Sequence, residues 1–209
     1  MELLQTPAPD RKRRNTITTL KTRRAICAIL SATFALIAWG QTFTISPEEG
    51  QPHLRHLHLS HYDHQGQEHI GELICNAAIA QDIIDIFREL HKARYPIERM
   101  RPIQEYDNDD EKSMSANNTS CYCYRTIAGT RKLSKHATGM AIDINPRLNP
   151  CVNLRTGDIS PRNGAPYAHK RQGPGVITRD DLCYRLFVKH GFRWGGAWRN
   201  IKDYQHFEK

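Results

Sequence analysis

Two short stretches hold the residues of this chain that could do chemistry. The first, SKHATGMAIDIN (134–145), carries Ser134, His136, Gly139 and Asp143; the second, DYQHFEK (203–209), carries Asp203 and His206. Asp143 lies inside an apolar run, Met140-Ala141-Ile142-Asp143-Ile144. A carboxylate in such surroundings is costly unless something pairs with it. A metal ion is one such partner. His136 lies seven residues upstream of Asp143, with Gly139 between them. A glycine there lets the chain turn tightly, so that a histidine before the turn can face a carboxylate on a strand after it. Catalytic zinc usually takes three protein ligands and a water. The third candidate is His206. Asp203, three residues before His206, meets the need for a general base that stands near the activated water without being a ligand. A hydrogen-bonded His136–Asp143 pair without metal remains the plainer alternative.

These groups need a scaffold. LRHLHLSHY (54–62) reads as a strand, and 41–53 as a polar lead-in. In NAAIAQDIIDIFRELHKARY (76–95), Ile79, Ile83, Ile86, Phe87 and Leu90 share one helical face, with Asn76 as the cap and Pro96 as the stop. A short strand is expected around 97–104, an acidic polar loop over 105–120 and a strand near 121–126. The motif stretch ends in a strand over 140–145, closed by Pro146. Residues 146–176, rich in Pro, Gly and Asn, read as a long ordered excursion. TRDDLCYRLFVKHG (178–191) predicts a second helix, capped by Thr178 and ended by Gly191. FRWGGAWRN reads as a glycine-hinged aromatic turn, and DYQHFEK as a closing strand. Two helices against several short strands, without strand–helix alternation, predict an α+β domain with a small, mostly antiparallel sheet.

The formal charge of +8 on 209 residues invites a nucleic-acid reading. Its distribution argues against one. Residues 1–40 hold seven Lys/Arg against two acids, so +5 of the +8 belongs to them. AICAILSATFALIAWG (25–40) follows that basic start and has the length of a signal-peptide h-region, with Ala38 and Gly40 at −3 and −1 of a cut before Gln41. An uncleaved membrane anchor is the other reading of 1–40. Either way the domain proper spans 41–209, and membrane contact is confined to the leader. Of the six cysteines, Cys75, Cys121, Cys123, Cys151 and Cys183 follow the leader. An odd number leaves at least one thiol unpaired within the chain. They read as small semi-buried residues with room for one or two disulfides, since Cys121-x-Cys123 is not a zinc-knuckle spacing.

Ser134, His136, Gly139, Ala141 and Asp143, followed about 60 residues on by Asp203-x-x-His206, resemble the two motifs of the zinc peptidoglycan peptidases. That family holds D-alanyl-D-alanine carboxypeptidases and L-alanyl-D-glutamate endopeptidases on a hedgehog-type α+β fold. NNTSCYCYRTIAG (117–129), the RWGG turn and KDYQHFEK look like its bacterial carboxypeptidase-like branch, so that the similarity runs from roughly residue 54 to the end. The resemblance implies one zinc ion bound by His136, Asp143 and His206, with Asp203 as general base. It further implies an arginine that steadies the oxyanion, for which Arg125 is the candidate; a salt bridge from Arg125 to the acidic loop is the competing reading. Ser134, Trp194 and Trp198 are candidate substrate-binding residues, with support of the turn (Ser134) and plain packing (the tryptophans) as the alternatives. The family often carries an acid where this chain has Ala197. Glu208 shares strand parity with His206, either to orient it or as a surface acid.

The expectation is therefore an exported, monomeric zinc metallopeptidase of the periplasm or cell envelope. Its substrates would be peptidoglycan stem peptides, and nucleic acid is not among its partners. A zinc-containing module of the same fold that binds wall or protein without cutting is the alternative. The presence of Asp203 speaks for the enzyme. His53, His56, His58, His61, His64 and His69 crowd one stretch and invite a metal-storage reading. Their alternation with leucines reads instead as a strand face entering a hairpin.

Overall fold

The computed structural model describes residues 41–127 and 129–209; the leader, with its signal-peptide or anchor reading, and Cys27 lie outside them. In chain order the elements are β1 (Phe43–Glu48), β2 (Gln51–Tyr62), β3 (Glu68–Asn76), α1 (Ala77–Lys92), β4 (Arg99–Met100), α2 (Asp110–Ser115), β5 (Asn118–Thr119), β6 (Ala141–Asp143), β7 (Cys151–Asn153), β8 (Ile159–Ser160), α3 (Leu182–Lys189), β9 (Arg193–Trp194), β10 (Ile201–Asp203) and β11 (His206–Glu208). The domain is α+β. β1-β2-β3, β10-β7-β8 and β6-β11-β9 form three antiparallel sheets, and β4 with β5 is a parallel pair. No helix among the described residues is long and apolar enough to cross a membrane.

The core forms where α1 lies on the first sheet. Ile79, Ile83, Ile86, Phe87 and Leu90 are all buried, against Leu57, Leu59 and Leu73 from β2 and β3. Each such side chain contributes about 1.5–3 kcal/mol by leaving water. Phe187 of α3 and Phe207 of β11 stack at 4.3 Å and extend this core to the motif strands.

Asn76 ties the helix to the motif. Its Oδ1 accepts the Ala78 N–H at 3.0 Å, capping α1 as expected. Its own N–H donates to the Gly139 carbonyl at 2.9 Å, and its Nδ2 donates to the Thr138 carbonyl at 2.9 Å. Gly139 has φ +67°, and a Cβ there would stand 2.6 Å from the Asn76 nitrogen. Both the left-handed backbone and the close approach demand glycine. Gly139→Ala should therefore lower stability by roughly 2 kcal/mol or more, from left-handed strain plus a backbone clash. A denaturant midpoint shift without a change in slope would show it; an unchanged midpoint would contradict this geometry.

Several expected elements are placed differently. The polar lead-in holds β1 and the start of β2, because cross-strand backbone bonds organise it despite its composition. A strand over 68–76 completes the hairpin. The acidic loop contains α2, capped by Asp109, whose Oδ1 accepts the Lys112 N–H at 3.0 Å. Residues 121–126 are no regular strand. Tyr122, Cys123 and Arg125 bond by their backbones to Ile74, His136 and Ser134 in turn, so no single partner strand runs alongside them. α1 ends at Lys92, before Pro96 can act. α3 is capped by Asp181, whose side chain accepts the Cys183 N–H at 2.9 Å; Thr178 instead opens a turn through its carbonyl to Asp181 N–H, which delays the helix. Gly191, at φ +82°, follows its end as expected. The 146–176 excursion is ordered by buried Asn149, whose side chain bonds Ile144, Asn145 and Gly175 carbonyls, the Ile177 N–H and Arg171. Among the described residues the five cysteines are all free thiols, without the disulfides for which the sequence had room.

Candidate active site

The site grows from a strand pairing. β11 runs antiparallel to β6 with His206 directly opposite Asp143, Phe207 opposite Ile142 and Glu208 opposite Ala141. Alternation along each strand sends Ile142 and Phe207 into the core and leaves His206 and Asp143 together on the other face. The third group comes from the 3₁₀ turn Lys135–Thr138, where Ser134 Oγ accepts the His136 N–H at 3.2 Å. Gly139 then swings the chain back into β6.

His136, Asp143 and His206 are buried and converge. His136 Nε2 lies 3.1 Å from His206 Nδ1 and 3.3 Å from Asp143 Oδ2, and His206 Nδ1 lies 3.1 Å from Asp143 Oδ1. A tetrahedral ion with bonds of about 2.0–2.2 Å holds its ligand atoms roughly 3.3–3.6 Å apart. The outward nitrogens are fixed as a metal site requires. His136 Nδ1 is 2.7 Å from the Cys121 carbonyl, which cannot donate, so the proton sits on Nδ1 and the Nε2 lone pair faces inward. His206 Nε2 faces Glu208 Oε2 at 3.5 Å, which leaves Nδ1 for the site. Two inward lone pairs 3.1 Å apart repel unless a proton or a cation lies between them. A cation also answers the cost of burying Asp143. The donor set, two imidazoles and a carboxylate, fits zinc.

Charge in the site is tightly coupled. Burial alone would raise the Asp143 carboxyl, but His136 and His206 hold it well below the usual carboxylate range. Burial would lower His206, yet Asp143 and Glu208 push it up to about 10. Asp203 is raised to about 6, chiefly by burial and further by Asp143, against the attraction of His206. Asp203 Oδ1 is buried with no hydrogen-bond partner among the described residues. β10 carries Asp203 to the site, pairing it with Cys151 of β7. Gly195 passes beneath: a Cβ there would lie 2.7 Å from the Asp203 carbonyl oxygen and 3.2 Å from His206 Cβ. The RWGG turn thus supports the Asp203–His206 segment from below, and only glycine fits.

The motif and turn residues that build this site all lie within 128–209, and that stretch matches a family model. Its description is D-alanyl-D-alanine carboxypeptidase. The C-terminal part of the chain is similar to this family. The resemblance was expected from about residue 54; the carboxypeptidase-family match begins at 128. No curated protein and no solved structure matches the chain.

Around the triad, Ser134 is buried, and its hydroxyl holds the Lys135–Thr138 turn. Trp194 is buried in the core, its indole N–H donating to the Tyr204 carbonyl at 2.9 Å and its ring packed on Tyr184. Trp198 is half-buried with its ring 5.3 Å from that of His206. Arg125, upstream of the family match, has Nε 2.9 Å from Asp110 Oδ2. Burial opposes its charge, but Asp110, Asp143, Cys123 and Asp203 outweigh that. Arg125 therefore pairs with the acidic segment and also lies within electrostatic reach of the triad. Asp110 was not foreseen: burial raises it, Arg125 offsets this, and Asp143 adds to it. The Asp109 cap ahead of Asp110-Glu111 was its one sequence signal, pointing to a helix start.

Proposed function

We propose that this chain is a zinc peptidase of peptidoglycan stem peptides. The observation that carries the reading is the convergence of His136 Nε2, His206 Nδ1 and the Asp143 carboxylate at 3.1–3.3 Å beside a buried Asp203 oxygen without a partner among the described residues. When bound there, zinc supplies Lewis acidity toward a water and a peptide carbonyl. Asp203 is the general base: it takes a proton from the attacking water and returns it to the leaving amine. Arg125, steadied by Asp110, offers a cationic donor to the carbonyl oxygen as charge builds on it. Trp198, beside His206, walls the cleft. The hedgehog-type arrangement, export to the periplasm or envelope and action as a monomer belong to the same reading.

Digestion of purified muropeptides with mass spectrometry of the products tests it. Loss of a single alanine residue from the stem would mark carboxypeptidase action, while separation of L-Ala from D-Glu would mark endopeptidase action. Removal of zinc by a chelator should abolish either activity, and added zinc should restore it. Zinc-loaded protein that leaves both bonds intact overturns the proposal.

A further inference from the structure

The hydrolytic site leaves the histidine-rich hairpin unexplained. His56 and His58 are two apart on β2, so they share a face, opposite to that of buried Leu57 and Leu59. His58 pairs directly with Glu72 on β3, and His56 lies diagonally from it. The two imidazoles stack at 4.7 Å between centroids. His56 Nε2 is 3.1 Å from Glu72 Oε2, and the three side chains place ligand atoms within 4.8 Å of one another. Two further charges bear on the cluster. Glu48 Oε2 faces His56 Nδ1 at 3.7 Å, on the side away from Glu72. Arg101 Nη1 holds Glu72 Oε1 at 3.2 Å, which leaves Oε2 turned to the histidines.

We infer that His56, His58 and Glu72 form a second cation site, for a divalent ion of the zinc class, that clips β2 to β3. The donors are two imidazoles and a carboxylate, a set that suits zinc. The 3.1 Å between His56 Nε2 and Glu72 Oε2 is near the edge of a zinc tetrahedron. Glu48 favours the proton on His56 Nδ1, which frees Nε2 to ligate, as an acid behind a metal-bound histidine does. The His56 and Glu72 side chains are 26% and 28% exposed, so an ion can reach them and water can complete its shell. The site lies wholly outside residues 128–209 and does not depend on the peptidase reading.

The test is equilibrium dialysis of the full chain against Zn2+, with ions counted by mass spectrometry. The parent should take up two ions, His136→Ala one, and His136→Ala with His58→Ala none. Glu72→Gln in the His136→Ala background, with a smaller change to the strand, should also lose its ion. Zn2+ should raise the melting temperature of His136→Ala and not that of either double variant. No ion on His136→Ala, or one equally retained by the folded double variants, overturns the inference. A parent that holds one ion lost on His58→Ala would support this site while removing the other.

Discussion

His206→Ala is expected to remove the zinc ion of the His136 site and stem-peptide hydrolysis together. His206 is buried opposite Asp143 and lies 3.1 Å from both His136 Nε2 and Asp143 Oδ1. Without it two ligands remain, and no neighbouring donor among the described residues replaces it in the triad. The loss of affinity should exceed about 100-fold, the upper end of the effect of removing a group that merely orients a ligand. Glu208→Gln is such a change, since Glu208 faces the far nitrogen of His206, and should weaken binding by about 10–100-fold. Zinc content after dialysis, measured beside muropeptide turnover, reads both. If His206→Ala keeps zinc as the parent does at the His136 site, the triad is not the metal centre.

Asp203→Asn should separate binding from turnover. Asparagine keeps the shape of the side chain but cannot take a proton. Asp203 is a half-buried residue whose Oδ1 has no partner among the described residues, and its carboxyl is raised to about 6, chiefly by burial. A proton affinity close to neutrality suits a base that must both accept and release a proton. Zinc content should stay at the parent level while kcat falls by about 10²–10⁴-fold. Rates matching the parent at equal zinc content would take Asp203 out of the chemistry.

The set of His136, Asp143 and His206, which the structure brings together, was legible because its signals are local. An acid in an apolar run, a glycine between it and a histidine, and an acid three residues before a second histidine are all visible in a dozen residues. The α1 face and its Asn76 cap were legible for the same reason: helical period and cap chemistry are short-range. The boundaries that shifted did so where other bonds, local or tertiary, compete with cap and period signals. Asp181 rather than Thr178 caps α3 because a turn through Thr178 comes first. Residues 121–126 divide their backbone bonds between Ile74 and the Ser134–His136 segment instead of pairing with one strand.

What the sequence alone determined is the inventory of donors and the alternation that puts Asp143 and His206 opposite core-facing Ile142 and Phe207. What only the tertiary structure decided is who meets whom across long separations. Register between β6 and β11 brings together residues 63 apart. Asp110 reaches Arg125 through α2, Cys121 fixes the tautomer of His136, and Gly195 slides under Asp203. Side-chain types and spacing carry no term for such encounters. They arise when burial of the α1 and α3 faces fixes where each strand must lie.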